Sequence, residues 1–149
     1  MGGYLVVDAS VSLKWSLDDE EAVAQAAALL DDVIATDKEL AAPSLWVYEV
    51  ANGLVTAVRR GRITPAQGSE ALSHLLAVNP RLADAPMERV YALAQQYRLT
   101  AYDAAYLALA EALEAPLWTG DRPFYDKVHT SMGFVHWVGD FTRSEPKLT

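Results

Sequence analysis

Four acidic residues, Asp8, Glu49, Asp103 and Asp121, stand at the places where chemistry is easiest to build in this chain. Asp8 ends the apolar run "YLVV", where a short buried strand leaves the core. Burying an unpaired carboxylate is costly, so such groups are normally paired, metal-bound or neutralised. Glu49 lies in "SLWVYEVANGL", where it shares the polar side of a helix with Asn52 and Thr56. Trp46, Val47, Val50, Ala51, Leu54, Val55 and Val58 make the opposite, apolar face. Asp103 opens the helix "TAYDAAYLALA", and Asp121 follows the strand-like "APLWTG". Should the four meet, they cannot all ionise side by side, because like charges raise one another's pKa. A hard divalent cation, Mg2+ or Mn2+, removes that conflict, taking carboxylate oxygens and keeping waters and substrate phosphates as its other ligands.

Each acid also has a bland role open to it. Asp8 suits a strand-end turn that caps the next helix, and Glu49 suits a solvated helix face. Thr100 and Asp103 fit a capping box at a helix N-terminus whose dipole favours an anion. Asp121 fits an N-cap, with Pro123 in the first turn. Only convergence of the four separates the two readings.

The elements that must position them alternate short strands with helices. After the first strand, Ser10 is the expected N-cap, and an Ala-rich helix spans about residues 18–35, with Val23, Ala26, Ala27, Leu30 and Ile34 at helical spacing. "ELAAPSL" reads as a strand closed by Pro43, and a helix follows over 44–60. Another helix starts near Thr64, with Pro65 suited to its first turn. "RLADAP" reads as a short strand before a helix over 87–97, and "LTAYDAAYLALAEALE" as a buried helix. "APLWT", "DRPFYDKV" and "FVHWV" complete the order as strand, helix, strand. The expectation is one α/β domain over residues 1–141 with a central, mainly parallel sheet, followed by a polar tail at 142–149. In such folds ligands bind beyond the carboxyl ends of the strands, at a topological switch point.

Composition narrows the function further. A chain of 149 residues can bury a proper core. The lack of cysteine excludes disulfides and thiolate metal sites and favours an intracellular, cytoplasmic home. No apolar run approaches the roughly 18 residues of a membrane span, and the N-terminus lacks the pattern of a signal peptide. A net charge of −8 argues against broad electrostatic binding to nucleic acid. The densest basic cluster, "RRGRI", offers Arg59, Arg60 and Arg62 either as a solvated helix end or as a phosphate-contacting rim. Lys14 and Trp15 offer a phosphate contact and a stacking surface, although Trp15 equally suits a core. His74, His129 and His136 lack metal-ligand spacing, and no glycine-rich phosphate loop follows a strand.

Taken together, "YLVVDAS", "YEVANGL", "LTAYDAAYLALA" and "APLWTGDRPF" resemble the four motif blocks of PIN-domain nucleases. Their order and spacing are similar to those of VapC-type toxins of bacterial toxin–antitoxin pairs, across about residues 4–138. The resemblance implies a three-layer α/β/α sandwich and a metal-dependent endoribonuclease that dimerises and is silenced by a cognate antitoxin. It implies an acidic metal site of Asp8, Glu49, Asp103 and Asp121, supported by Ser10, Asn52 and Thr119. The last acid is the least constrained, since Asp126 lies close to Asp121. Two rival classes are a catalytically silent PIN-like module that only binds a partner, and a receiver-like phosphotransfer domain. No acid is missing, which counts against the first. The lysine expected after a late strand is absent from "APLWTGD", which counts against the second.

Overall fold

The computed structural model describes residues 3–143, so residues 144–149 of the expected polar tail lie outside the described residues. Five strands form one sheet: β1 (Tyr4–Val7), β2 (Glu39–Ala42), β3 (Arg81–Leu82), β4 (Leu117–Thr119) and β5 (Val135–Trp137). Their order is β3-β2-β1-β4-β5, and every pairing is parallel. The sheet thus winds one way from β1 to β3 and the other way through β4 and β5. The switch point falls between β1 and β4, the place where such sheets bind ligands.

Alternation along β1 builds two cores at once, because successive strand residues face opposite sides. Leu5 and Val7 pack with Val11, Ala26, Leu29 and Val33, under helix α2 (Val23–Ala35). Val6 packs on the other face with Trp46, Leu54, Leu93, Leu107 and Phe124. Those side chains come from α3 (Trp46–Arg59), α5 (Met87–Tyr97), α6 (Ala101–Leu113) and α7 (Arg122–Val128); α4 (Pro65–Val78) packs against α3. The result is the expected three-layer α/β/α sandwich, with a sheet wholly rather than mainly parallel.

Local chemistry sets most boundaries. Thr64 and Gln67 form a reciprocal capping box with Pro65 in the first turn of α4. Thr100 caps α6 by accepting the Asp103 N–H. Two expectations fail. A short helix, α1 (Ala9–Ser12), and a 3-10 turn (Leu13–Trp15) follow β1, and α2 begins only at Val23. Ser10 is not the N-cap: it lies inside α1, and Asp8 caps that helix by accepting from the Val11 N–H. The reason is register, because a cap must sit where the extended backbone turns, and that residue is Asp8.

A buried bond ties α1 to α3. The Trp46 indole N–H donates to Ser12 Oγ at 2.9 Å, and Ser12 donates to the Asp8 carbonyl at 3.3 Å. Ser12→Ala leaves the indole N–H without an acceptor, and a buried donor so stranded costs about 1–3 kcal/mol. Denaturant unfolding should show that loss. The Ser12→Ala/Trp46→Phe pair should lose less than the sum of its single changes; additivity would mean that the bond contributes nothing.

Candidate active site

Asp8 is almost completely buried at the end of β1, at the switch point. Its carboxylate accepts from the Ser10 hydroxyl, the Val11 N–H and the Thr119 hydroxyl. Thr119 ends β4, so the two loops flanking the switch point meet on this one side chain. The same hydroxyls also bind backbone: Gly120 N–H donates to Ser10 Oγ at 2.8 Å and Asp121 N–H to Thr119 Oγ1 at 3.0 Å. Burial pushes the Asp8 carboxyl up to about 6; its three donors pull the other way and the charge on Asp103 adds a smaller upward push.

Asp103 lies in the first turn of α6 and is half-buried. The capping role holds only in part: Thr100 accepts the Asp103 backbone N–H, but the Asp103 carboxylate has no hydrogen bond among the described residues. Its carboxyl is also pushed up to about 6, first by burial, then by the charges on Asp121 and Glu49, with Lys127 opposing. Glu49 sits in the first turn of α3 and accepts from the Tyr106 hydroxyl at 2.7 Å. Tyr106 is one turn beyond Asp103 on the same face of α6. Asp121 is an N-cap, accepting the Phe124 N–H through one oxygen, and its charge also reaches Asp103. Asp126 is exposed on α7 and is not among the charges acting on Asp103.

The four sequence-selected acids therefore form one electrostatically coupled group, and Ser10 and Thr119 hold Asp8 in place. Asn52 is exposed beside Glu49 in a shared groove. The basic residues fall elsewhere. Arg59 closes α3, ten residues from Glu49, about 15 Å at the rise of an α-helix, and Arg60 caps that end. Arg62 is held by Asp19 and Glu20 at 2.6 and 2.8 Å. Lys14 is buried and donates to the Glu21 carbonyl at 2.5 Å, and the Trp15 indole donates to the Ala26 carbonyl at 2.9 Å. The Lys14 ammonium and the Trp15 indole N–H are thus both engaged by backbone carbonyls. His129 stacks on Tyr125 and His136 on Trp118. Sequence reasoning missed Tyr106 and Lys127. A tyrosine on an otherwise apolar buried helix was the available signal for the first, since a buried phenol needs a partner.

Among the described residues, no group of three or more His, Cys, Asp or Glu side chains is placed closely enough to hold a metal ion by itself. The acids are close enough to feel one another's charge. That donor set, all oxygen and short of cations, fits a hard divalent ion that keeps waters of its own. Without the ion, both raised carboxyls destabilise the fold. Each binds its proton more tightly when folded than when unfolded, where the ordinary value is 3.8, so stability falls as pH climbs from about 4 through 6. In EDTA, melting temperatures should drop between pH 4.5 and 7. Asp103→Asn should flatten that fall and raise stability at pH 7 by about 1 kcal/mol, a figure reduced for solvent screening of a half-buried group. A mutant less stable than wild type at pH 7 would reduce Asp103 to a helix-end residue.

Comparison with known proteins places this geometry. The PIN domain pattern matches residues 5–129, a span that contains all four acids. The chain is similar to Ribonuclease VapC9 of Mycobacterium tuberculosis, 37% identical over 124 residues that cover 82% of this chain and 89% of that protein. It is also similar to Exonuclease VapC9 of Pyrobaculum aerophilum, 35% identical over 74% of this chain and 84% of that protein. The crystal structure of PAE2754 from Pyrobaculum aerophilum superposes with a TM-score of 0.70 at 28% identity, covering 93% of this chain and 92% of the other. An all-parallel sheet with acids gathered at its switch point, matched over most of its length to these proteins, belongs to the PIN-domain family, among the VapC ribonucleases.

Proposed function

We propose that this protein is the ribonuclease toxin of a toxin–antitoxin pair, an endonuclease that hydrolyses RNA phosphodiesters with Mg2+ or Mn2+. The observation that carries the reading is the coupled pair Asp8 and Asp103, both held near a pKa of 6 by burial and by neighbouring carboxylates. Family membership supports the same chemistry and leaves the receiver-like alternative without support.

Asp8 and Asp103 would hold the cation, which when bound lowers the pKa of a water and neutralises charge on the phosphate. The protein's own residues do the rest. Ser10, Thr119 and the Val11 N–H fix the Asp8 carboxylate in one orientation, while Asp103 keeps its oxygens free of hydrogen bonds. Glu49, restrained by Tyr106, orients the attacking water and accepts its proton. Asp121 spends one oxygen on its cap, and its charge still acts on Asp103. Asp121, rather than Asp126, is the fourth acid.

The protein acts as a homodimer, and its cognate antitoxin silences it. An antitoxin arginine suits the cleft because its fork pairs with carboxylates. The apolar groove between α3 and α4, about 320 Å³ and lined by Leu54, Val55, Val58 and Leu72, suits an apolar antitoxin segment.

RNA cleavage should require Mg2+ or Mn2+ and stop in EDTA. Asp8→Asn should lose at least about a hundredfold in kcat, the scale of removing one preorganised electrostatic group. Full activity in EDTA would end the metal reading. A circular RNA separates the two activities named among the relatives: an endonuclease opens it, whereas an exonuclease leaves it intact.

Arg59 and Arg60 lie too far from Glu49 to touch the phosphate being cleaved, and their proposed task is to guide the flanking backbone. Replacing both with Gln should reduce the slope of log binding constant against log salt by about 0.7 for each phosphate of single-stranded RNA that is no longer neutralised. An unchanged slope would return them to the solvated helix end.

A further inference from the structure

Two large aromatic side chains are left in water beside the acids. Tyr48 is 79% exposed and Tyr102 is 63% exposed. Neither ring stacks on another aromatic ring, and neither hydroxyl has a hydrogen-bond partner among the described residues, in contrast to Tyr106 and Tyr125. Each directly precedes an acid, Tyr48 before Glu49 in α3 and Tyr102 before Asp103 in α6. Consecutive helix residues point about 100° apart. When the acid faces the cleft, its tyrosine therefore stands on the cleft's flank. The two flanks meet: Tyr48, Glu49, Asn52 and Tyr102 line one groove of about 400 Å³. That volume lies within the range of small-ligand sites.

Charge says what such a groove must supply. The chain carries a net charge of −8, Arg62 is spent on Asp19 and Glu20, and Arg59 and Arg60 lie at the far end of α3. The cations near the cleft are few, Lys127, which opposes the raised Asp103 carboxyl, and Arg122, which lies over the Trp137 ring, so affinity for a polyanion gains from a term that does not need cations. Base stacking on exposed aromatic rings is such a term, and it tolerates any base because every base has a π-face. Asn52 adds an amide that both donates and accepts, suited to a base edge.

On the reading of the cleft as a ribonuclease site, we infer that the Tyr48–Tyr102 groove receives an unpaired base of single-stranded RNA next to the scissile phosphate. The substrate must then be unpaired at that position, since a duplex hides the faces of its bases in its own stack.

The test uses the full chain, Mg2+ and a single-stranded oligoribonucleotide with 2-aminopurine beside the cleavage position. Tyr48→Ala and Tyr102→Ala should each raise KM by about tenfold, within the range measured for removal of base–aromatic stacking, with a smaller change in kcat. Tyr48→Phe and Tyr102→Phe should behave as wild type, because a ring without its hydroxyl still stacks. The 2-aminopurine fluorescence should be quenched on mixing with wild type and with the Phe variants, and not with the Ala variants. A KM within twofold of wild type in both Ala variants, or quenching that survives them, overturns the inference. So does equal cleavage of the same site in a duplex. If the Ala variants instead dissociate a dimer in sedimentation, the groove is an interface between copies and the inference also falls. A wild-type chain that cleaves no RNA sinks the ribonuclease reading, while the fluorescence quenching still decides on the groove.

Discussion

A carboxylate held out of water at the end of β1 is the constraint around which the rest is arranged. Desolvation alone would drive Asp8 to its neutral form, and the fold answers with three donors drawn from two different elements. Ser10 and Val11 come from α1, directly after β1, and Thr119 from the end of β4. The carboxylate therefore fastens the switch point of the sheet, and its ionisation and its geometry cannot be varied separately. Gly120 belongs to the same arrangement. A Cβ there would lie 2.6 Å from Lys14 Cε and 3.3 Å from Ser10 Oγ, so a larger residue would push the end of the Lys14 side chain aside and crowd the hydroxyl that holds Asp8.

Around that centre negative charge is only partly compensated, with Lys127 offsetting some of it at Asp103. The cations that lie close by are committed elsewhere: Lys14 to the Glu21 carbonyl and Lys127 to the Arg98 carbonyl. Arg62 and Arg89 answer other acids, Asp19 with Glu20 and Glu111. No side-chain cation forms an ion pair with Asp8, Glu49, Asp103 or Asp121 among the described residues. A structural ion-pair network would have been closed by such a partner. An acid group left open and strained is what a metal-dependent site requires before its ion arrives, a local cost in stability accepted for function.

Rigid elements make this strain sustainable. Asp103 and Tyr106 project from a helix whose Ala104 and residues 106–110 are buried, and Glu49 from one anchored by Trp46 and Val50. Side chains on such supports cannot relax apart to relieve repulsion, because moving them would open the packed core. The cost of burial first, and of repulsion after it, is retained in the cleft as raised pKa values instead of being lost in motion.

The sequence by itself determined the elements and the identity of the acids. Capping at Thr64, Thr100 and Asp121, the alternation of β1 and the helical spacing of apolar residues act over a few residues, so they can be read from a short window. The positions of Asp8, Glu49, Asp103 and Asp121 at element junctions were legible for the same reason. Tertiary structure alone decided that these junctions converge and that Arg62 is bound to Asp19. It alone decided that Tyr106 holds Glu49 and that Tyr48 and Tyr102 share a groove. The bonds concerned join residues 43, 57 and 111 positions apart. No local propensity encodes such a pairing; it exists only once the parallel sheet has brought separate strand ends and helix starts to one edge.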